Sequence, residues 1–367
     1  MKMINVAGAI IFAVVLMFSS LTQSVQGQCP ADVNDDHYVD GLDLATVLSS
    51  WGTNGSSTGT DFNGDLIVNG TDLAFVLSEW GVCPGPTWAT VLEWAPNPTV
   101  VTDANLRAAI VASGLAWRVR DNSSNIEMLL VPAGTFTMGC SPSTEFVCYS
   151  NESPTHQVNL TQAFYMGRYE VTQAQWTAKM GSNPSFFSGY TNSPSRPVEK
   201  VSWNMIASGS TSFMSLTGLR LPTEAEWEYA YRAGTSTAFH SYALSPTEGQ
   251  PNGFDDDALL GNIAWYSGNN GALGSSTYGT KAVGGKYANA LGIHDMSGNV
   301  WEWCQDWYGP YSSASVTNPT GPTTGAFRLL RGGSWFFSSV FCRASFRFSF
   351  APVDVNYDIG FRVVRTP

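Results

Sequence analysis

Residues 32–43 read DVNDDHYVDGLD, and residues 61–72 read DFNGDLIVNGTD. Oxygen-bearing side chains fall at loop positions one, three, five, nine and twelve of each stretch. They are Asp32, Asn34, Asp36, Asp40 and Asp43 in the first copy, and Asp61, Asn63, Asp65, Asn69 and Asp72 in the second. This is the spacing with which a loop wraps a hard cation such as calcium. Position seven contributes a backbone carbonyl, so Tyr38 and Ile67 are free to be apolar there. Each loop runs into an apolar helix-like stretch, LATVLSSWG and LAFVLSEWG, at the same 29-residue offset (32 to 61). Leu44, Val47, Leu48, Leu73, Val76 and Leu77 are the expected core of two short helices, too small a core for catalysis. No Lys or Arg occurs from Met3 to Leu106, while nine Asp or Glu fall between Asp32 and Glu79. Acids at that density repel one another unless a cation sits among them.

Outward from the repeat, Cys29 and Cys83 bracket it, so a disulfide between them would tie its ends. Such a bond needs an oxidising compartment, and the N-terminus supplies the route. Lys2 precedes an apolar run from Val6 to Phe18, then a polar stretch to Gly27, the pattern of a secretory signal over residues 1–27. The apolar run would span about 20 Å as a helix, short of a bilayer core. No later stretch is long enough to span a membrane, so the mature chain is expected to be soluble and secreted, periplasmic or at the cell surface. Cys140 and Cys148 enclose a short loop and are the natural second pair, which leaves Cys304 and Cys342. The net charge of −11, concentrated in the repeat, argues against nucleic acid as a partner. With 36 Gly, 19 Pro and 13 Trp, the remainder reads as a loop-rich globular body rather than a helical one.

The repeat resembles the paired calcium loops of dockerin modules, over residues 28–84. Two features depart from the EF-hand pattern. His37 and Leu66 stand at position six, usually glycine, and position twelve is Asp, as dockerins prefer, rather than a bidentate Glu. The resemblance implies a small all-α calcium module that anchors the chain to a protein partner.

Residues 85–125 read as a Pro- and Trp-bearing linker and lead-in, with a short helix from Asp103 to Ser113 and a strand in AWRVRD. Then come, in order, MLLVPAGTFTMG (128–139), FYMGRYEVTQAQW (164–176), GLRLPTEAEWEYAYRAG (218–234), GIHDMSGNVWEWCQDWYG (292–309), RLLRGGSW (328–335), CRASFR (342–347) and IGFRVVR (359–365). Thr223 to Glu226 forms a capping box that should start a helix, and Trp227, Trp301 and Trp335 are expected in the core. This order over residues 126–367 resembles the sulfatase-modifying factor family, the domain of formylglycine-generating enzymes. The implied fold is α+β and C-type-lectin-like, with few helices and long ordered loops.

The family resemblance also implies sites. A calcium ion would be held by the side chains of Asp295 and Glu302 with the carbonyls of Gly298 and Val300, and another would begin at Asn262 and the carbonyl of Ile263. The acidic partner of the latter is missing from NNGALGSSTYGT. Formylglycine-generating enzymes hold Cu(I) on two cysteines five residues apart after a Gly-Gly-Ser-aromatic turn; two thiolates suit this soft ion. In RGGSWFFSSVFC the second is Cys342, the catalytic candidate, but Phe337 stands at the first. Family resemblance places Cys304 near Cys342, where it could capture that thiol in a disulfide or substitute as a copper ligand. His156, His240 and His294 share no metal-like spacing and are expected to be hydrogen-bonded surface or core histidines. The favoured reading is a calcium-stabilised, lectin-like domain that binds an unknown ligand or protein and lacks the oxidase chemistry. The alternative is a copper oxidase converting a protein cysteine to formylglycine.

Overall fold

The computed structural model describes residues 29–367 apart from 35, 84, 141–144, 146, 191 and 241–257. The expected signal segment, 1–27, lies outside the described residues. The two acidic loops each lead into a nine-residue helix, Gly41–Ser49 and Gly70–Ser78. The loop chemistry itself starts these helices. Asp40 and Asn69 are the N-caps, and Asp43 and Asp72 reach back to the cap backbone, closing a capping box in each copy. This draws Asp43 and Asp72 inside, and the residues four positions on, Val47 and Val76, share that buried face. The module core is accordingly Ala31, Val39, Val47, Val68 and Val76, closed by the Cys29–Cys83 disulfide with a Cα–Cα distance of 5.4 Å. Leu48 and Leu77, expected in that core, are turned out and stay 52 % and 53 % exposed. A short antiparallel pairing of Tyr38–Val39 with Gly81–Val82 joins the module's ends.

The body is built on short twisted sheets. A five-stranded sheet runs in the order Val364–Arg365, Phe164–Gly167, Glu127–Val131, Arg118–Asp121, Ala89–Glu93. This corrects the reading of residues 85–125 as a linker. Ala89–Glu93 pairs with Arg118–Asp121, and Arg118–Asp121 with Glu127–Val131, so the segment is part of the body's sheet. The helix expected between them is present at Ala104–Val111, with Asp103 as its cap. A four-stranded sheet is ordered Phe348–Phe350, Arg328–Arg331, Trp301–Trp307, Ile359–Gly360. A three-stranded sheet is ordered Val316–Thr317, His156–Leu160, Gly134–Met138. The helix Glu224–Arg232 begins at the Thr223 capping box and ends on Ala233, which takes the left-handed conformation one residue before Gly234. Its Trp227 packs in the central core with Trp176, Trp301 and Trp303; Trp335 is fully buried as well. No helix among the described residues is long and apolar enough to cross a membrane.

Candidate functional site

The two acidic loops have the same internal geometry. At position one, Asp32 accepts hydrogen bonds from the backbone of Asp36 (3.1 Å) and His37 (2.7 Å), as Asp61 does from Asp65 (3.2 Å) and Leu66 (2.8 Å). At position five, Asp36 and Asp65 accept from the backbone of Tyr38 and Ile67 at 2.9 Å. At position three, Asn34 and Asn63 donate to those same carboxylates. At position twelve, Asp43 and Asp72 close the loop onto Val33 (2.7 Å) and Phe62 (2.8 Å). The turn requires a left-handed residue at position six, and His37 and Leu66 both supply it at φ 69°. A donor set of carboxylate, amide and carbonyl oxygens with no lysine or arginine fits a hard cation such as calcium. The ligands would be Asp32, Asn34, Asp36, the carbonyl of Tyr38, Asp40 and Asp43, with Asp61, Asn63, Asp65, the carbonyl of Ile67, Asn69 and Asp72 in the second copy.

In the body, Asp295 is buried in a left-handed turn. Its Oδ2 accepts from Gly284 N at 2.6 Å, while its Oδ1 is buried without a hydrogen-bond partner. Burial pushes its carboxyl up to about 6. Glu302, its expected partner, is engaged elsewhere. Arg362 grips both its oxygens at 2.6 and 2.7 Å, and Trp227 Nε1 donates at 2.7 Å. A further acid acting on Asp295 is Glu170, in the FYMGRYEV motif, which sequence reasoning did not single out. Glu170 accepts from Val300 N (3.1 Å) and Asn299 Nδ2 (2.6 Å). Burial, then the charges of Asp295 and Glu302, hold its carboxyl well above the ordinary carboxylate range. Asp295, Glu170 and Glu302 thus bring three buried acids to bear on one another, with Arg362 on Glu302 and one Asp295 oxygen left without a hydrogen-bond partner. Gly298 belongs to the same turn, where a side chain would collide with Trp265 O at 2.0 Å.

The other expected site, at Asn262 and Ile263, has different surroundings. The Asn262 side chain is exposed and its carbonyl accepts from Tyr287 N at 2.9 Å. The cation here belongs to the chain: Lys286 Nζ donates to Gly261 O and lies 3.8 Å from the Trp265 ring centre. These residues do not fit a calcium ion.

Cys140 and Cys148 are bridged, with a Cα–Cα distance of 5.5 Å. Glu152 lies against them, but sulfurs in a disulfide offer no thiolate to a metal. Cys304 and Cys342 are buried and not bridged, which corrects the expectation that one captures the other. They sit in different apolar clusters, Cys304 in the Trp-rich core and Cys342 with Phe239, Leu260, Ile263 and Tyr266. Gly333, at φ 73°, is where a side chain would strike the Cys342 sulfur at 2.7 Å. At the position of the other copper cysteine, Phe337 packs edge-on against Trp301 and Phe341, with ring centres 5.6 and 5.2 Å away. The pair of sulfurs that would hold Cu(I) is therefore not present, and the residues do not fit that ion.

The histidines divide. His156 Nδ1 meets Pro154 O at 3.2 Å and His294 Nδ1 meets Lys286 O at 2.8 Å, as expected. His240 departs from that expectation. It is buried against Tyr231 with neither ring nitrogen hydrogen-bonded, and burial lowers it to about 3.

A family model described as a sulfatase-modifying factor enzyme 1-like domain matches residues 116–367, and a dockerin type I model matches residues 30–79. A chaperone protein LppX of Paenibacillus barcinonensis is 31 % identical over 286 residues, covering 65 % of this chain and 89 % of that protein. A formylglycine-generating enzyme of Streptomyces coelicolor is 34 % identical over 200 residues, covering 52 % of this chain and 58 % of the enzyme. Among solved structures, Treponema denticola variable protein 1 superposes with a TM-score of 0.54 at 29 % identity, covering 66 % of this chain and 95 % of that one.

Proposed function

Because the chain belongs to the sulfatase-modifying factor enzyme 1-like family and carries a dockerin type I module, we propose that it is an exported binding protein. In this reading the dockerin module loads two calcium ions and holds the body to a protein partner outside the cytoplasm. The body keeps the family scaffold and, in place of oxidase chemistry, recognises a ligand. Phe337 carries the reading. A phenyl ring wedged among Trp301, Phe341 and Phe348 stands where the first sulfur of a copper pair is needed. One thiolate alone holds Cu(I) weakly, and Cys304 belongs to another cluster. The two disulfides and the dockerin module support a location outside the cytoplasm, and export would run through the N-terminal signal.

The test is direct. The purified protein, titrated with Cu(I) against a chromogenic chelator, should take up no stoichiometric copper. Incubated with a cysteine-bearing sulfatase-type peptide and oxygen, it should yield no aldehyde by mass spectrometry. Stoichiometric uptake that disappears in Cys342→Ser would instead establish the oxidase.

A further inference from the structure

The start of the helix Glu224–Arg232 forms one wall of a cavity of roughly 230 Å³ that no part of the reading above uses. Its opposite walls come from the strand Trp301–Trp307 and the loop after it, from His156, and from Val316. Beside Tyr311, four acidic or basic side chains line it, all at least nine-tenths buried: His156, Glu224, Asp306 and Arg347. Burial at that level is costly unless charges are matched, and the matching here is specific. Arg347 grips both oxygens of Glu224, at 2.6 and 2.8 Å, and Tyr311 donates to Glu224 at 3.1 Å. That carboxylate and that guanidinium neutralise each other.

Asp306 has no such cation. Its Oδ2 accepts from Glu224 N at 2.9 Å. Burial and the Glu224 charge push its carboxyl up to about 8, so at neutral pH it is an acid that can donate. Among the described residues, Asp306 Oδ1 has no hydrogen-bond partner. His156 is similar. A carbonyl can only accept, so the ring's Nδ1 carries the hydrogen given to Pro154 O, and Nε2 is left unpartnered. The rest of the lining is largely apolar, including Met138, Val316 and Pro322.

We propose that this cavity is the body's ligand site and that it takes a neutral, hydroxyl-bearing ring, such as one sugar unit, on Asp306 Oδ1 and His156 Nε2. The proposal rests on the binding-protein reading and gives its ligand a class. An ionic ligand would meet no uncompensated charge in the cavity. A purely apolar one would cover these two polar atoms without meeting them, which is costly. A ring with hydroxyl edges and C–H faces satisfies both walls. The volume suits one ring, being below the roughly 300 Å³ at which drug-sized sites begin.

The full-length protein in calcium would be screened by saturation-transfer NMR against methyl glycosides of glucose, galactose, mannose and xylose, with myo-inositol. At least one should receive saturation. His156→Phe keeps a ring against Tyr311 but removes Nε2, and should weaken binding about tenfold, the loss of one good hydrogen bond. Val316→Phe should fill the cavity and abolish binding. Asp306→Leu, which removes the polar group, should also weaken binding about tenfold, whereas Asp306→Asn keeps a donor that no longer titrates. Wild-type binding should fade as the pH rises through about 8, while Asp306→Asn should not respond. The charged groups that face Asp306 are Glu224 and Glu226 on the helix, Arg328 on a strand and Arg347 just before one; the Cys304 thiol is two residues away. No saturation of any probe at roughly 10 mM, or saturation untouched by Val316→Phe and His156→Phe, would overturn the proposal. Copper uptake is read separately. Glycoside binding together with Cu(I) uptake would sink the non-oxidase reading and spare the cavity; neither signal would sink the cavity alone.

Discussion

At the level of single residues, three side chains hold positions that their chemistry does not favour. Leu66 is the plainest. It adopts φ 69° with 70 % of its surface exposed, so it gains little from packing. A left-handed conformation costs an ordinary residue about 1–2 kcal/mol, partly offset by the extra chain entropy that glycine loses. Leu66→Gly should therefore raise the module's melting temperature in calcium by a few degrees, measurable by circular dichroism; a lower melting temperature would show that Leu66 makes a compensating contact. Asp306 is the second. Its carboxyl titrates near 4 in the unfolded chain and about 8 in the folded one, so the folded state keeps a proton that the unfolded state releases. Stability should fall as pH rises between these values and level off above. Asp306→Asn should flatten that slope in denaturant titrations at pH 5, 7 and 9. Phe337 is the third. Phe337→Cys should cost about 2 kcal/mol of packing and place a sulfur five residues before Cys342. It should gain Cu(I) uptake that is lost again when Cys342→Ser is added.

At the level of elements, the loop–helix units hold together because the same side chains serve twice. Asp40 and Asn69 are N-caps, and Asp43 and Asp72 complete the capping boxes, while all four stand at ligand positions. Calcium removal therefore leaves the helix starts hydrogen-bonded but leaves the acids uncompensated. With chelator, the full-length protein should show an early melting step confined to residues 29–83, and calcium should merge it with the main transition. A single transition in both conditions would mean that the loops fold without metal. In the body, buried ion pairs lie around the Cys140–Cys148 disulfide. Arg343 holds Glu152 at 2.6 Å and Glu145 at 2.8 Å, and Ser345 donates to Glu145 at 2.6 Å. Arg343→Met would strand the buried Glu152 carboxylate, while Glu145 keeps Arg232 at 3.3 Å, and should cost roughly 3–5 kcal/mol by chemical denaturation.

At the level of the whole molecule, the module and the body touch through an aromatic contact. His37, at position six of the first acidic loop, stacks on Trp94 just past the strand Ala89–Glu93, with ring centres 4.4 Å apart. The segment between the two parts is a sheet strand, which joins them more closely than the Pro- and Trp-rich composition of residues 85–125 suggested. That misreading had a physical source. Strand pairing is non-local, and Ala89–Glu93 finds its register only against Arg118–Asp121 after an intervening helix. Trp94→Ala should leave the body's own melting unchanged but increase protection loss by hydrogen exchange in the first calcium loop.

The sequence alone determined what is carried by local spacing: two twelve-residue loops, the helix caps after them, the capping box at Thr223 and the family motifs. These depend on residues within one turn or loop of each other, so their order in the chain is their order in space. Only the tertiary structure decided which carboxylates meet. Glu302 went to Arg362, sixty positions away, and Glu170 came from a distant strand end to Asp295. Asp306 closed on Glu224 across the helix start, and Cys304 and Cys342 were drawn into separate clusters. Buried charges are paired by whichever partners the packed sheets bring within a few ångströms, and no local pattern in the chain encodes that choice.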